Sequence, residues 1–428
     1  MIKILHKVPA WILTSLGLIL YRILVDNAYE YIIAVLFDYQ NYLINKSSES
    51  LFLSWLFYLS LFPVILKTSK SNNFSSQVVF ILVLISLVPT STFIAYHRNY
   101  TIEYILLMYL YWSVLLHVNT FIPRIKLLNI NIIGSNKVVI AITILLALSI
   151  LYISYIHTGF RFHINLMTVY DLREESREFE INFFLGYLST FADNILPIIL
   201  VYFLIAKKRV LSIFVIVVIL INFGIGGIKQ VLFLLLFALI SYFIVNKIYP
   251  TRNYLWFFTF LVCAAIVEYG IFSTWFISLF SLYRIFFIPV KLHYVFYNFF
   301  AVNEKDYFRQ SALKWLLESP YKENIGFLMG EQDSGSITSR ANNGLFSDAF
   351  YNFGLLGIIL FPIVLIVILK IIEYAAKNLS YKINFILVIT ITFILINLPF
   401  TTALVTAGII PLIFILYFMP RKKHINYL

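Results

Sequence analysis

Six arginines, Arg161, Arg173, Arg177, Arg284, Arg309 and Arg340, fall in or beside polar stretches that separate long apolar runs. Arginine is always charged, and its planar fork of donors matches phosphate oxygens. A set of such forks suits a diphosphate. The competing reading is pairing with Glu174, Glu175 and Glu178 or with lipid headgroups, and it weighs most on Arg177 and Arg309. A second constellation is Gly224-Ile225-Gly226-Gly227-Ile228-Lys229, a tight turn between two apolar runs. Glycines let backbone approach a phosphate closely, and the N-terminus of the helix that follows favours an anion. The spacing is not that of a Walker loop and no Ser or Thr follows the lysine. A compact helical hairpin explains the same residues.

A third cluster runs from Arg340 through Asn342, Asn343 and Gly344 to Asp348, Tyr351, Asn352 and Gly354, where a polar stretch enters an apolar one. Asp348 and Asn352 are four apart and share a helix face. Amides, a carboxylate and a phenol suit sugar hydroxyls, although the helix dipole alone accounts for an acid in a first turn. Two acids, Asp193 and Glu268, lie inside apolar runs, the second near the middle of its run, and ionisable groups at membrane depth are functional candidates. His157 and His163 are too loosely spaced for a metal pair, and His293 lies in the stretch leading to the third cluster. No metal ligand set emerges.

The elements that position these residues must cross a membrane. Of 428 residues 61% are hydrophobic and 12% charged, against roughly 45–50% and about 25% in soluble domains. The apolar residues come in runs of about 17–25, the length that crosses a hydrocarbon core of about 30 Å. The runs do not alternate as barrel strands do, so the expected class is all-α and polytopic. Twelve spans are expected, near 8–25, 51–66, 78–96, 100–122, 138–156, 184–206, 210–224, 229–246, 254–280, 346–370, 383–399 and 402–419. The stretch 29–44, interrupted by Asp38 and Gln40, is left outside the count or half-inserted. Cys263 is the single cysteine and sits in an apolar run, which excludes a disulfide framework. Lys3 and Lys7 precede an apolar stretch with no small-residue cleavage site, which reads as a retained first helix.

The net charge of +12 does not point to nucleic acid, because its distribution follows the bias of basic residues toward the cytoplasmic side. With the N-terminus inside, the inner segments hold eighteen of the lysines and arginines, among them Arg124, Lys126, Lys207, Lys208, Arg209, Lys422 and Lys423. The short outer segments hold seven: Arg22, Lys46, Arg98, Arg161, Arg173, Arg177 and Lys229. Both termini are then cytoplasmic. Two outer segments stand out, 157–183 and the long 281–345. Within the latter Phe308, Ala312, Trp315 and Leu316 recur at helical spacing beside Lys305, Arg309 and Lys314, a pattern for an amphipathic helix in the headgroup region, ended by Pro320. No repeat or linker divides the chain, so 1–428 is read as one integral membrane domain.

At these residues the chain resembles the O-antigen or oligosaccharide repeat-unit polymerases (Wzy type). Arg284-Ile285-Phe286-Phe287-Ile288-Pro289, with His293, Tyr297 and Phe300, is similar to the segment opening that family's large outer loop. Asn343-Gly344-Leu345 through Asp348, Tyr351, Gly354 and Gly357 resembles its loop-closing motif, and Tyr170-Asp171-Leu172-Arg173 its first-loop motif. Lys229 stands where relatives carry arginine, which removes bidentate pairing at that position.

The resemblance implies a glycosyltransferase architecture of the GT-C-like kind with a periplasmic loop in the bacterial inner membrane. It implies metal-independent transfer, without a cofactor, of a glycan from undecaprenyl diphosphate to a hydroxyl of the next lipid-linked unit. Arg173 and Arg284 would stabilise the leaving diphosphate, supported by Arg340 and Lys229. Asp348 or His293 would take the acceptor proton. Arg161, Tyr170, Asn343, Tyr297, Tyr351 and Asn352 complete the expected substrate contacts. The expected partners are the lipid-linked oligosaccharide, membrane lipid and a chain-length regulator protein, with no nucleic acid. A ligase for lipid-linked glycans would use the same diphosphate site with another acceptor. A transporter would show inverted repeats and midplane charges, and no duplicated halves are seen.

Overall fold

The computed structural model describes residues 9–97, 100–123, 125, 135–162, 169–247, 250–341 and 344–421. The expectations placed on Lys3, Lys7, Arg98, Arg124, Lys126, His163, Asn342, Asn343, Lys422, Lys423 and the Tyr170 side chain lie outside these residues. The protein is 77% helix, with no strand among the described residues. In chain order the helices are α1 Ala10–Leu36, α2 Ser48–Lys70, α3 Phe74–Tyr96, α4 Ile102–Phe121, α5 Asn136–Thr158, α6 Val169–Ser176, α7 Phe183–Ile205, α8 Arg209–Gly226 and α9 Lys229–Phe243. They continue with α10 Asn253–Phe272, α11 Ser278–Val302, α12 Ile325–Ser334, α13 Phe346–Ala375, α14 Tyr381–Asn397 and α15 Phe400–Phe418.

Eleven of these are long and apolar enough to cross a membrane, and α9 and α14 are shorter apolar helices. The chain is therefore a multi-pass membrane protein. Helix is the form that satisfies every backbone group within one segment in lipid, and polar side chains close the ends. Ser47 and Ser50 form a reciprocal cap on α2, while Thr101 and Asn182 accept from the first-turn amides of α4 and α7. Each of the twelve expected spans matches a helix. The segment 29–44 is not a separate span. Residues 29–33 continue α1 as π-helix, and the chain then turns through Asn41 in the left-handed region, φ 63°.

The described residues group into two compact units. The first comprises Met1–Pro123, Tyr249–Leu369 and Leu395–Phe400, and the second Arg124–Ile248, Lys370–Ile394 and Thr401–Leu428. No compositional break marks the points where the chain leaves one for the other.

In the first unit, three expectations are corrected. Arg22 is not at an outer surface. It lies fully buried within α1, ion-paired with Asp26 and donating to Thr92 Oγ1 at 2.8 Å and Ser54 Oγ at 3.3 Å. The expected span 254–280 breaks at Ser273, φ 53°, and α11 then occupies the first third of the expected loop. Glu268 belongs to this break rather than to mid-membrane. Its carboxylate accepts the Phe276 and Ile277 amides at 2.8 and 2.7 Å, which caps the start of α11. Third, no amphipathic helix forms around 305–316. Tyr307 and Phe308 take left-handed φ of 53° and 61°, and a chain of turns wraps the buried Asp306, whose carboxylate accepts the Gln310 amide and the Ser319 hydroxyl. Trp315, 92% exposed, projects from these turns.

The apolar length of α11 would let it span, and several of its contacts lie at one end of the neighbouring helices. Tyr283 stacks on Phe37 at 3.9 Å, Lys291 donates to the Gln40 carbonyl at 2.7 Å, and the Tyr297 hydroxyl is 3.5 Å from Thr101. Phe37 and Gln40 follow α1, and Thr101 precedes α4. The Asn45 amide donates to Tyr96 at the end of α3, so these points share one end of the unit. Between these points Phe286 reaches further in, its ring 6.1 Å from that of Phe258 in the body of α10.

In the second unit α7, α8 and α9 carry a buried polar layer. Asn222 donates to Asp193 and accepts from Ser189, while Asn194 accepts from Gln230 and donates to the Ala407 carbonyl at 3.1 Å.

Candidate functional site

The first unit gathers most of the expected site residues, on α11 and on the start of α13. Residues 278–287 of α11 are wound as π-helix, a wide turn that recurs at functional sites. Arg284 lies in this stretch, half-buried, directly after Tyr283. Tyr283 hydrogen-bonds the Gln40 side chain. Further along the helix, Lys291 is buried to 7% exposure and pairs with Asp333 of α12 at 2.8 Å. Its ammonium also lies 5.1 Å from the centre of the Tyr42 ring. Tyr42 is 1% exposed, and its hydroxyl has no hydrogen-bond partner among the described residues. Burial, then the neighbouring Tyr283 and Asp333, push the Tyr42 phenol well above its ordinary pKa, so it stays a donor.

Two residues further on, His293 is buried with Nδ1 2.8 Å from Ser347 Oγ of α13. Tyr297 packs against Phe350 of α13 at 5.2 Å and touches Thr101 at the start of α4. Glu103, exposed in the first turn of α4, acts on the Tyr297 phenol and on Lys305. Burial lowers the Lys305 pKa, and Glu103 opposes that shift.

Asp348 is 1% exposed and is a structural tie as it stands. One oxygen accepts Asn352 Nδ2 at 2.9 Å and the other accepts the Phe400 amide. Asn352 in turn accepts the Phe308 amide at 2.8 Å, and the Tyr351 carbonyl accepts the Asp306 amide at 2.9 Å. Together they fasten the turns after α11 to the start of α13. The crevice beside Asp348, lined by Tyr111, Phe361, Leu395 and Phe400, has a volume of about 10 Å³. That is room for one water and not for a sugar. The glycines of this motif serve the backbone. A Cβ at Gly344 would overlap the Leu395 and Leu398 carbonyl oxygens, and one at Gly357 would overlap the Ala349 carbonyl. Gly354, φ 55° and ψ −130°, breaks α13 after its first two turns.

Arg340 follows α12 and lies against it, its guanidinium 5.7 Å from the Phe327 ring and its stem 3.3 Å from a Cβ built at Gly326. Burial lowers its pKa from the usual value. Arg309 pairs with Glu304 at 2.7 Å and donates to the Lys305 and Asp306 carbonyls, so it holds the turns together.

Arg161, Arg173, Lys229 and the backbone of Tyr170 belong to the second unit. Arg161 pairs with Glu175 of α6 at 2.8 Å and reaches the Gly224 carbonyl at 3.4 Å. The glycine turn forms as expected, with Gly227 left-handed at φ 59°. Its open side faces protein: a Cβ on Gly227 would sit 2.9 Å from Val169 Cγ1 and 3.0 Å from its carbonyl oxygen. Close approach here serves α6. Lys229 opens α9 and Arg173 is half-buried in α6.

Sequence reasoning missed Lys291, Asp333, Tyr42 and Glu103. A lysine inside an otherwise apolar helix is the signal that would have found the first, but that helix was read as loop. Among the described residues no three His, Cys, Asp or Glu side chains come together to hold a metal ion. No protein-family model, curated protein or solved structure matches this chain.

Proposed function

We propose that this protein is a membrane glycosyltransferase that polymerises undecaprenyl-diphosphate-linked oligosaccharide units. In this reading it lies in a bacterial inner membrane with both termini cytoplasmic and acts at the outer face. The observation that carries the reading is the pair of cations on α11: Arg284 in a π-helical stretch and a buried Lys291 seven residues on. Fixed cations in a poorly hydrated setting suit a diphosphate leaving group held at a lipid surface.

A hydroxyl of the incoming unit attacks the anomeric carbon of the growing glycan. The bond from that carbon to the diphosphate oxygen breaks, and lipid diphosphate leaves with the electron pair. Arg284 neutralises the charge that develops on it, with Arg340 as support. The hydroxyl proton passes to a carboxylate or imidazole. Asp348 and His293 are closed off in the resting arrangement, so the exposed Glu103 beside Tyr297 joins them as a candidate base. Tyr297, Tyr351, Asn343 and Asn352 are the proposed sugar contacts.

The test is reconstitution in liposomes with the lipid-linked repeat unit alone, followed by gel analysis of the glycolipids. A ladder formed without nucleotide sugar, and lost in Arg284→Ala at unchanged expression and insertion, supports the reading. Wild-type chain lengths from Arg284→Ala would remove its role. No ladder from folded protein with the right substrate would overturn polymerisation and turn attention to another acceptor, as in a ligase.

A further inference from the structure

Resting on that reading, the geometry around Lys291 points to a particular residue set for the diphosphate, and to a resident anion that keeps it shut. We infer that Lys291, Tyr42 and Arg284 bind the oxygens of a lipid diphosphate, and that the Asp333 carboxylate of α12 occupies one oxygen position until the substrate displaces it.

Three observations converge. Lys291 is a charged side chain at 7% exposure, and a buried ammonium is tolerated only with an anionic or strongly polar partner. Its partners are Asp333 at 2.8 Å and the Gln40 carbonyl at 2.7 Å, one from a surface helix and one from a fixed turn. Second, the Tyr42 ring lies 5.1 Å from the same ammonium, and its buried hydroxyl has no hydrogen-bond partner among the described residues. An orphaned buried donor is costly, and a carboxylate this close that leaves it unsatisfied fits the site less well than a larger anion would. Third, Arg284 lies seven residues before Lys291 on the same helix, and Tyr283, directly before Arg284, is within the field of both Arg284 and Asp333. A diphosphate carries more charge and more acceptor oxygens than one carboxylate, so it competes well for a lysine, a phenol and an arginine fork.

Asp333 therefore does two things. It satisfies Lys291 while the site is empty, and it ties α12 to α11. Substrate that takes over Lys291 releases that tie, and α12 carries Arg340 at its far end, beside Gly326.

The test is binding to the purified full-length chain, with farnesyl diphosphate as the probe and thermal unfolding to confirm that each variant is folded. Asp333→Asn removes the competing charge and is expected to tighten binding several-fold. Tyr42→Phe deletes only the hydroxyl and is expected to weaken it by about tenfold, the usual effect of losing one bond to a charged group. The double variant of Lys291→Met with Asp333→Leu leaves no buried charge unpaired and is expected to lose binding. Competition by inorganic pyrophosphate supports recognition of the diphosphate itself. Equal competition by phosphatidylglycerol would overturn it in favour of an ordinary headgroup site. Unchanged or weaker binding in Asp333→Asn, with Tyr42→Phe like wild type, would overturn the assignment. Binding that follows these variants in a protein forming no ladder would overturn polymerisation alone, and a ladder from protein whose binding ignores them would overturn this site alone.

Discussion

Replacing Asp348 by Asn asks whether that residue holds the structure together or takes part in chemistry. The carboxylate accepts two donors, Asn352 Nδ2 at 2.9 Å and the Phe400 amide. An amide has one oxygen, so whichever way it turns, one donor meets an NH2 group instead of an acceptor. A buried donor left unsatisfied costs about 1–3 kcal/mol. Asn352→Asp places two carboxyl groups against each other and is expected to cost at least as much. The two changes together restore the pattern. The new amide at 348 gives its oxygen to Phe400 and its NH2 to the new carboxylate at 352, which still accepts the Phe308 amide. Each single variant should lower the thermal midpoint, read as the monodisperse fraction surviving heating in detergent, and the double variant should recover most of the loss. A single Asp348→Asn variant as stable as wild type, with no gain from the second change, would refute the tie. If that variant also lost chain extension, Asp348 would be a chemical residue.

Arg22→Ala leaves Asp26 buried without its cation and should destabilise by about 3–5 kcal/mol. Combining Arg22→Met with Asp26→Leu should be far milder, and a double variant as unstable as the single would contradict the buried pairing. Gly344→Ala drives a methyl into two carbonyl oxygens and should abolish recovery of monodisperse protein. Gly335→Ala, at φ 71° with open space around it, should cost only about 1 kcal/mol. Equal behaviour of the two would show that packing is not what distinguishes them. Glu268→Gln removes the charge that caps α11 and should cost about 1 kcal/mol, with faster labelling of a cysteine introduced at position 274. Unchanged labelling would argue that the cap does not order that turn.

The spans were legible because crossing a membrane is a matter of length and composition, and the runs that become α2, α3, α4 and α7 advertise both. The expectation failed at α11 because its sequence, apolar but studded with Ser281, Arg284, Lys291 and His293, states no preference between lying along an end and passing through. Partners such as Phe37 and Gln40, more than two hundred residues away, anchor it. Depth was misjudged at Glu268 and Arg22 for the same reason: position within an apolar run does not say which turn the run ends on. Pairing was partly legible. The competing reading paired the arginines with Glu174, Glu175 and Glu178 or with headgroups: Arg161 does pair with Glu175, whereas Arg309 pairs with Glu304, which that reading did not name. The buried neighbours of Asp348 and Lys291 are tertiary facts that spacing along the chain does not encode.

The interruption of α13 at Gly354 has a mechanical consequence. The two turns before it, 346–353, meet the rest of α13 at a kink, while Tyr351 and Asn352 are bonded to the amides of Asp306, Tyr307 and Phe308. Segments bonded to one another in this way share local stability. Backbone amides of 306–310 and of 350–353 should therefore exchange with solvent at a common rate, slower than the exposed turn at 335–339 and faster than the apolar body of α13. The 303–320 segment and the first two turns of α13 then form one fastened piece, and the change of direction between it and the body of α13 rests on a single glycine.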